Sequence, residues 1–186
     1  MMRWTGFNPR TWKRMFAGAN IKDATPVSGG ATSDELSHHL ALGRRGELLA
    51  AEHLERVGYR LVASNFTLPI GRNLRGALVH AEIDIVAYEG AMLCFIEVKT
   101  RASDWFAPPE ANVDLRKQRQ IARAARAYRR MFGLTGAPYR YDVVSVVLPA
   151  EDTSGPIPPA RLELLRNFWT DEKFRKRRWS DPPFDF

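Results

Sequence analysis

The spacing of apolar residues divides the chain into two helices and a set of strands. Apolar positions recur every three or four residues over about 33–57, with Ser33 as a capping residue and Gly58 as a stop, which predicts an amphipathic helix. A second helical pattern covers about 110–132. Alternating or continuous apolar runs predict strands at 59–66, 81–88, 91–101 and 139–148, and a weaker, short one at 161–168.

This order of elements predicts an α/β fold, with helices packed on a mixed β-sheet. Segment 67–79 contains Pro, Gly and Arg and reads as a loop or a long hairpin connection. A dinucleotide-binding fold is excluded because no Gly-rich phosphate loop follows the first strand. The 186 residues suit one domain, 33–169, between a flexible basic extension, 1–32, and a basic, aromatic tail, 170–186.

Charge is the feature of the composition that bears most on function. The net charge of +7 and the pI near 9.9 favour a polyanionic partner, either nucleic acid or an anionic membrane surface, although many soluble proteins are basic. The single cysteine, Cys94, excludes a disulfide framework and fits a reducing cytoplasm. The longest apolar stretch, 91–96, is far shorter than the roughly 20 residues that span a bilayer, so no membrane span is expected.

An acid and two bases share one face of the strand at 91–101. Because side chains alternate along a strand, Glu97, Lys99 and Arg101 point the same way. On the preceding strand, Glu82 and Asp84 also share a face. Taken alone, the common Glu-x-Lys sequence favours a solvated edge face with an incidental ion pair; once Asp84 is placed in register with it, that interpretation and a catalytic face are equally compatible with the sequence.

The expected hairpin brings these acids together. A two-residue turn at 89–90 would put Asp84 diagonally across from Glu97, about 7–8 Å away between backbones, and Glu82 nearly opposite it. Facing like charges are unfavourable unless a cation lies between them, and Mg²⁺ or Mn²⁺ prefers carboxylate oxygens. Lys99 could then orient an attacking water and neutralise phosphate charge.

A carboxylate also interrupts the core-facing side of the first helix. Glu47 lies within the stripe that periodicity predicts to point inward, and burying an unpaired carboxylate is costly. A salt bridge to an arginine and an interaction with a metal or its bound water both remain open. The other members of the stripe are Leu36, Leu40, Gly43, Ala51 and Leu54.

The second helix carries a continuous basic ridge. Eight Lys or Arg residues and no acid occur from Arg116 to Arg140, so the ridge lacks the Glu–Arg pairs of an ordinary solvated helix. Contact with a phosphate backbone explains it better than pairing with distant acids or binding to a membrane. The ridge residues follow spacings of three and four: Arg116, Arg119, Arg123, Arg126 and Arg130.

Four segments together resemble a known family. They are "GRRGELLAAEHLERVGYRLVASNF", "AEIDIVAYEGAMLCFIEVKTR", "KQRQIARAARAY" and "YDVVSV". In this combination they look like the YraN-like family of predicted endonucleases, which is similar to archaeal Holliday-junction resolvases. Those proteins belong to the restriction-endonuclease-like superfamily with its PD-(D/E)-x-K motif. The resemblance covers about residues 40–148, with departures at Ala81, where the family usually has Gly, and in the long connection 67–79.

The resemblance implies a metal-dependent endonuclease that hydrolyses DNA phosphodiester bonds, on branched or irregular DNA. It implies Asp84 and Glu97 as ligands of Mg²⁺ or Mn²⁺, Lys99 as the catalytic lysine and Glu47 as the acid that helps to place or activate water. Lys117 matches a further family position. We group this lysine with Arg101 and the ridge arginines as candidate DNA-binding residues. A homodimer is implied by analogy with related resolvases. A non-catalytic DNA-binding module of the same fold and an RNA-directed nuclease remain the alternatives.

Overall fold

The computed structural model describes residues 33–101, 113–149 and 158–174. The predicted N-terminal extension, 1–32, and residues 175–186 of the predicted tail lie outside these ranges. The elements are α1 (Ser33–Arg56), β1 (Tyr59–Arg72), β2 (Leu78–Glu89), β3 (Met92–Arg101), α2 (Leu115–Met131), β4 (Tyr139–Val147), β5 (Arg161–Trp169) and a 3-10 helix (Asp171–Phe174).

The five strands form one mixed sheet in the order β1-β2-β3-β4-β5. All neighbours are antiparallel except β3 and β4, which run parallel. A parallel pair needs a crossover connection, and the segment that contains α2 supplies it. The mixed sheet flanked by two helices confirms the predicted α/β class and is consistent with a restriction-endonuclease-like fold.

Helix α2 covers one face of the sheet. Its residues Ile121 and Tyr128 are buried in one apolar cluster with Val86, Phe95 and Tyr141 of the strands. Asp114 caps the start of the helix, where its side chain accepts a hydrogen bond from the Lys117 amide. Periodicity places Phe132 on the inward side of this helix, but the residue follows the end of the helix and is 52% exposed.

Helix α1 approaches the opposite face of β3. Ile96, Val98 and Thr100 alternate with Phe95 and therefore point away from α2. The α carbon of Gly46 comes so close to Thr100 that an added Cβ would lie 1.8 Å from the threonine Oγ1. The predicted inward stripe is wrong at Leu40, which is 58% exposed, because the buried side of α1 begins only at Gly46.

The expected connection at 67–79 is mostly strand. Both β1 and β2 extend into it, and the reversal takes only a short turn at 73–77. The prediction failed because Pro69 and Gly71 lie where the β1–β2 register shifts, a position that tolerates residues unsuited to a regular strand.

A buried polar cluster around Asp142 connects three strands of the sheet. The buried carboxylate of Asp142 accepts hydrogen bonds from Arg140 at 2.9 Å, from the Tyr59 hydroxyl at 3.1 Å and from the Asn167 amide at 2.8 Å. These bonds join β1, β4 and β5. Because the buried charge is fully paired, we assign this cluster a structural role. No helix within the described ranges is long and apolar enough to cross a membrane.

Candidate functional site

The β2–β3 hairpin turns one residue later than the sequence suggested. Glu89 pairs with Met92, so the two loop residues are Gly90 and Ala91, and Gly90 adopts the positive φ of 58° that such a turn requires. The expected turn at 89–90 is therefore wrong. The register moves by two residues, which leaves each side chain on its predicted face.

This register brings Asp84 nearer to Glu97 than a diagonal pairing would. The last pair of the ladder is Ile85 with Ile96, and one further step sets Asp84 opposite Glu97. At this point the Asp84 carboxylate, rather than a strand carbonyl, accepts the hydrogen bond of the Val98 amide at 2.7 Å. The two acids thus meet where the strands begin to separate.

Glu97 is the most deeply buried charged group of this site. Its side chain is 1% exposed, and its Oε1 accepts hydrogen bonds from Lys99 Nζ at 2.7 Å and forms an ion pair with Lys117 Nζ at 3.1 Å. Within the described ranges, its other oxygen, Oε2, has no hydrogen-bond partner. An unpartnered, buried carboxylate oxygen is costly and rare, so it marks a position where a further cation or donor fits.

Asp84 is held in an environment that opposes its negative charge. Burial, and then the neighbouring charge of Glu97, raise the pKa of the Asp84 carboxyl to about 8, while Lys117 and the Val98 amide act in the opposite direction. Its Oδ1 lies 3.9 Å from Lys117 Nζ. Added positive charge at this point would favour the ionised carboxylate.

Lys117 lies between the two acids. Burial by itself would lower the pKa of this lysine, but Asp84 and Glu97 together raise it, so the ammonium ion remains charged. The sequence grouped Lys117 with DNA-binding residues. The structure places its ammonium group against the carboxylates, where it supplies the cation that the facing acids need.

Glu47 reaches the same region from α1. It is half-buried, and its Oε2 accepts a hydrogen bond from Asn65 Nδ2 at 3.1 Å. Burial raises the pKa of the Glu47 carboxyl, and the charges of Glu82 and Glu97 add to this effect, against the Asn65 hydrogen bond and Arg44. The salt bridge to arginine that the sequence left open is not formed within the described residues, where Asn65 is the hydrogen-bond partner.

Asn65 is a site residue that sequence reasoning missed. It stands in β1 with a φ of 49°, a left-handed conformation that asparagine adopts more readily than most residues. On β2, Asp84 is the residue opposite Asn65, and neither residue is paired in the β1–β2 register. The sequence does contain a signal for this position, because Asn65 interrupts a run of residues that was predicted to form a strand.

The donor set fits a hard divalent cation that keeps most of its water. Within the described residues, no group of three or more His, Cys, Asp or Glu side chains is placed to hold a metal ion. Mg²⁺ is commonly bound by only one or two carboxylates together with waters and substrate phosphates. Asp84 and Glu97, with the unpartnered Oε2, meet that requirement.

The basic ridge of α2 is exposed along its whole length. Its five arginines are all exposed, and none forms a salt bridge within the described ranges. Three of them line a groove of about 620 Å³ between α2 and β1, with Pro69, Ile70 and Ala127; these three are Arg123, Arg126 and Arg130. Arg101 lies partly exposed at the end of β3, beyond Lys99.

The groove and Lys117, which contacts the carboxylates, lie along the same helix. Arg123 donates a hydrogen bond to the Ile70 carbonyl at 2.8 Å, which fixes the helix against β1. At a rise of about 1.5 Å per residue, Arg123 lies about 9 Å along the helix axis from Lys117, and Arg130 lies about 20 Å from it. A cationic surface therefore runs from the paired acids along one helix.

Comparison with known proteins identifies the family. The model of the uncharacterised protein family UPF0102 matches residues 46–146. The chain belongs to this family. The match begins beside Glu47 and spans every candidate site residue and the whole ridge. UPF0102 is also the YraN-like family that the sequence resembles.

Individual UPF0102 proteins agree with this assignment. A relative from Chlorobium limicola is 42% identical over 112 residues, which cover 60% of this chain and 79% of the relative. One from Geobacter sulfurreducens is 41% identical over 119 residues, covering 63% of this chain and 85% of the relative. One from Alkaliphilus metalliredigens is 36% identical over 111 residues, which cover 60% of this chain and 89% of the relative. Each bears only the family name.

Proposed function

We propose that this UPF0102 protein is a metal-dependent endonuclease that hydrolyses phosphodiester bonds in DNA, on branched or irregular substrates. The observation that carries the proposal is Glu97: it is buried, bonded to two lysines through one oxygen, left unpartnered at the other, and adjacent to an acid with a raised pKa. A purely structural ion pair has no need of the second acid or of the unpartnered oxygen.

Asp84 and Glu97 would hold Mg²⁺ or Mn²⁺. When bound, such an ion neutralises charge on the phosphate and stabilises the transition state. The protein's own groups explain why the site is ready for it. Asp84 is fixed by the Val98 amide and Glu97 by Lys99, so both carboxylates are oriented before any ion arrives.

Lys99 and Glu47 would handle the attacking water. Lys99 is 30% exposed, so its ammonium can remain on Glu97 while it donates to a phosphate oxygen or to a water. Burial raises the pKa of the Glu47 carboxyl, which makes its carboxylate a stronger base for accepting a proton from that water. The water oxygen bonds to phosphorus, one ester P–O bond breaks, and the leaving oxygen takes up a proton.

The proposed substrate class rests on charge and on the family resemblance. The groove of Arg123, Arg126 and Arg130 offers guanidinium groups for a phosphate backbone and carries no acid that would repel it. A preference for branched DNA comes from the likeness to Holliday-junction resolvases alone.

Cleavage of a labelled panel tests the proposal. Single-stranded, duplex, flap and four-way-junction DNA, with matching RNA, are incubated with Mg²⁺, Mn²⁺ or EDTA. We expect metal-dependent cutting of DNA by the wild type and its loss in Asp84→Asn and in Lys99→Met. Glu52→Gln and Lys173→Met, which alter exposed residues elsewhere, serve as controls and should cut normally.

Other results would redirect the assignment. Binding of these DNAs by wild type and variants alike, with no cutting under any metal condition, would establish the non-catalytic binding module instead. Cutting of RNA in preference to DNA would identify an RNA-directed nuclease that uses the same carboxylates.

A further inference from the structure

The turn between β1 and β2 exposes a leucine completely. Leu74 stands at the tip, with a relative exposure of 108%, and Arg72 and Arg75 flank it. Single exposed apolar residues are common on protein surfaces and need no explanation by themselves. This one differs in the rigidity of its support and in the surface beside it.

The turn is built to hold one shape. The Asn73 side-chain oxygen accepts hydrogen bonds from the amides of Arg75 at 2.9 Å and Ala77 at 3.0 Å. The Asn73 backbone bonds to Ala77 and Gly76, and the Arg72 guanidinium donates to the Gly76 carbonyl at 2.6 Å. Leu74 takes part in none of these hydrogen bonds. The turn would therefore form equally well with a polar residue at the tip.

Strand β1 leads from the wall of the groove to the tip. Ile70, two residues before Arg72, forms part of the groove wall, and Arg123 bonds to its carbonyl. Gly71 passes so close to Arg123 that an added Cβ would lie 2.9 Å from Nη2. At about 3.3 Å per residue, Leu74 lies within about 13 Å of Ile70, which is the length of only a few base steps.

We propose that the hairpin tip is a wedge for branched DNA: while the arginine groove holds one strand of a duplex arm, Leu74 inserts at the branch and stacks against its terminal base pair. Small apolar side chains that enter between base steps unstack them, and flanking arginines hold the adjoining phosphates. This proposal rests on the proposed nuclease function, whose preference for branched substrates it would explain.

Two features of the chain favour DNA over a lipid surface as the occupant. The exposed apolar groups at the turn are Leu74 and the 52%-exposed Leu78 at the start of β2, whereas stable insertion into a bilayer interface requires a larger apolar face. The arginines of the neighbouring groove also follow one another along α2, an arrangement that suits the successive phosphates of a nucleic-acid backbone better than a flat membrane.

The test measures base stacking at the branch and does not require cleavage. A flap and a four-way junction carry 2-aminopurine in the base pair next to the branch, and binding is carried out in EDTA. We expect wild-type protein to raise the fluorescence as the base unstacks, Leu74→Ala to lose most of that rise, and Leu74→Phe to retain it. Leu40→Ala, another exposed leucine, is the control and should behave as wild type.

Cleavage separates the wedge from the nuclease. If the enzyme cuts, Leu74→Ala should lose cutting of branched DNA while it cuts any linear substrate as the wild type does. Equal fluorescence and equal cutting by Leu74→Ala and wild type would overturn the wedge and leave the nuclease standing. If no substrate is cut, the fluorescence comparison between wild type and Leu74→Ala still decides whether Leu74 unstacks the base pair at the branch. Cosedimentation with anionic vesicles that Leu74→Ala abolishes, with DNA binding and fluorescence unchanged, would overturn it in favour of a membrane contact.

Discussion

At the scale of single residues, the site is an arrangement of two acids and two bases whose charges balance without a metal ion. Lys99 and Lys117 offset Asp84 and Glu97. The balance is local and imperfect, because one glutamate oxygen stays unpartnered and the aspartate is kept from ionising freely. Both defects can be measured in the metal-free protein.

Asp84→Asn should stabilise the metal-free protein at neutral pH. A folded pKa that is raised above the unfolded one means that the folded state binds the proton more tightly, so Asp84 favours folding at acid pH and loses that contribution as pH rises toward 8. Asparagine mimics the protonated form and can still accept the Val98 amide. In EDTA, we expect the variant to exceed wild type by about 1–2 kcal/mol at pH 7.5 and to match it near pH 4.

Urea denaturation at the two pH values measures this difference. Glu52→Gln, an exposed carboxylate on α1, controls for the loss of one charge and should show little effect at either pH. A difference between Asp84→Asn and wild type that is the same at pH 4 and at pH 7.5 would show that burial does not set the ionisation of Asp84.

Lys117→Met should make stability depend strongly on divalent cations. Removing the ammonium leaves Glu97 with one ionic partner and Asp84 with none, and breaking a buried pair costs about 3–5 kcal/mol in general, less here because the lysine is 31% exposed. Mg²⁺ should recover more stability in this variant than in wild type, because it binds where the ammonium was.

Thermal unfolding of both proteins is measured in EDTA and in about 10 mM Mg²⁺, a concentration suited to weak carboxylate sites. The quantity compared is the Mg²⁺-induced shift of the unfolding temperature in each protein. Lys173→Met, an exposed lysine in the 3-10 helix, is the matched control. The interpretation of Lys117 fails if Mg²⁺ shifts the unfolding temperatures of wild type and Lys117→Met equally.

Sequence reasoning found the acids of this site more readily than it found their partners. Asp84, Glu97 and Lys99 follow from strand alternation, which survives an even shift in register. Asn65 and the position of Lys117 depend on how far a distant helix and strand approach each other. No local pattern encodes that distance.

At the scale of secondary-structure elements, the position of α1 depends on one glycine. Gly46→Ala would place a methyl group within 1.8 Å of Thr100 Oγ1, so either the helix or β3 must move. We expect a loss of about 1–3 kcal/mol, the range for overpacking, together with a large loss of activity because Glu47 is the next residue.

Gly43→Ala provides the matched control, three residues earlier in the same helix. Nothing lies within 4 Å of its Cβ position, so this change should be neutral or should stabilise by up to about 1 kcal/mol through helix propensity. Chemical denaturation of both variants measures the contrast, and Thr100→Ala in the Gly46→Ala background should restore part of the loss. Equal effects of the two glycine changes would contradict the close packing of α1 on β3.

The elements themselves were largely predictable, and their ends were not. Both helices and all five strands appear where the apolar patterns placed them, because the helices bury one face, the central strands β3 and β4 bury both, and residue types reflect that burial. Two exceptions share a cause. The extension of β1 through Pro69 and the exposure of Leu40 are set by where neighbouring elements end, a property of the assembled sheet.

The arginine groove should dominate the salt dependence of DNA binding. Each phosphate contact contributes a slope of about 0.9 to the plot of log K against log salt for duplex DNA. Combined replacement of Arg123, Arg126 and Arg130 by alanine should therefore reduce the slope by about 2–3 and weaken binding to all sequences alike. Fluorescence anisotropy at several salt concentrations measures it.

Arg56→Ala, at the end of α1 on the other side of the sheet, is the control and should leave the slope unchanged. Circular dichroism must show that the triple variant is folded, because Arg123 also bonds to Ile70. An unchanged slope in a folded triple variant would remove the groove from the DNA-binding surface.

At the scale of the whole molecule, strand β2 connects the proposed wedge to the proposed catalytic acids. It begins at Leu78, just after the hairpin tip, and Asp84 lies six residues further along it. At about 3.3 Å per residue this separation is about 20 Å, and the full path from Leu74 is at most about 33 Å. The sheet therefore fixes a distance between the point that would open the DNA and the point that would cut it.

This distance predicts where branched DNA is cleaved. Successive base pairs of duplex DNA are about 3.4 Å apart along the axis, so cuts should fall about 6–10 base pairs from the branch. Moving the branch by three base pairs within one sequence should move the cuts by the same amount, as mapped on end-labelled flaps at single-nucleotide resolution. Cuts at the branch itself, or cuts that stay with the sequence when the branch moves, would show that the tip and the carboxylates do not act on one duplex arm. In Leu74→Ala the cuts should become weaker and scattered, because the groove alone would hold the arm without fixing its position along the axis.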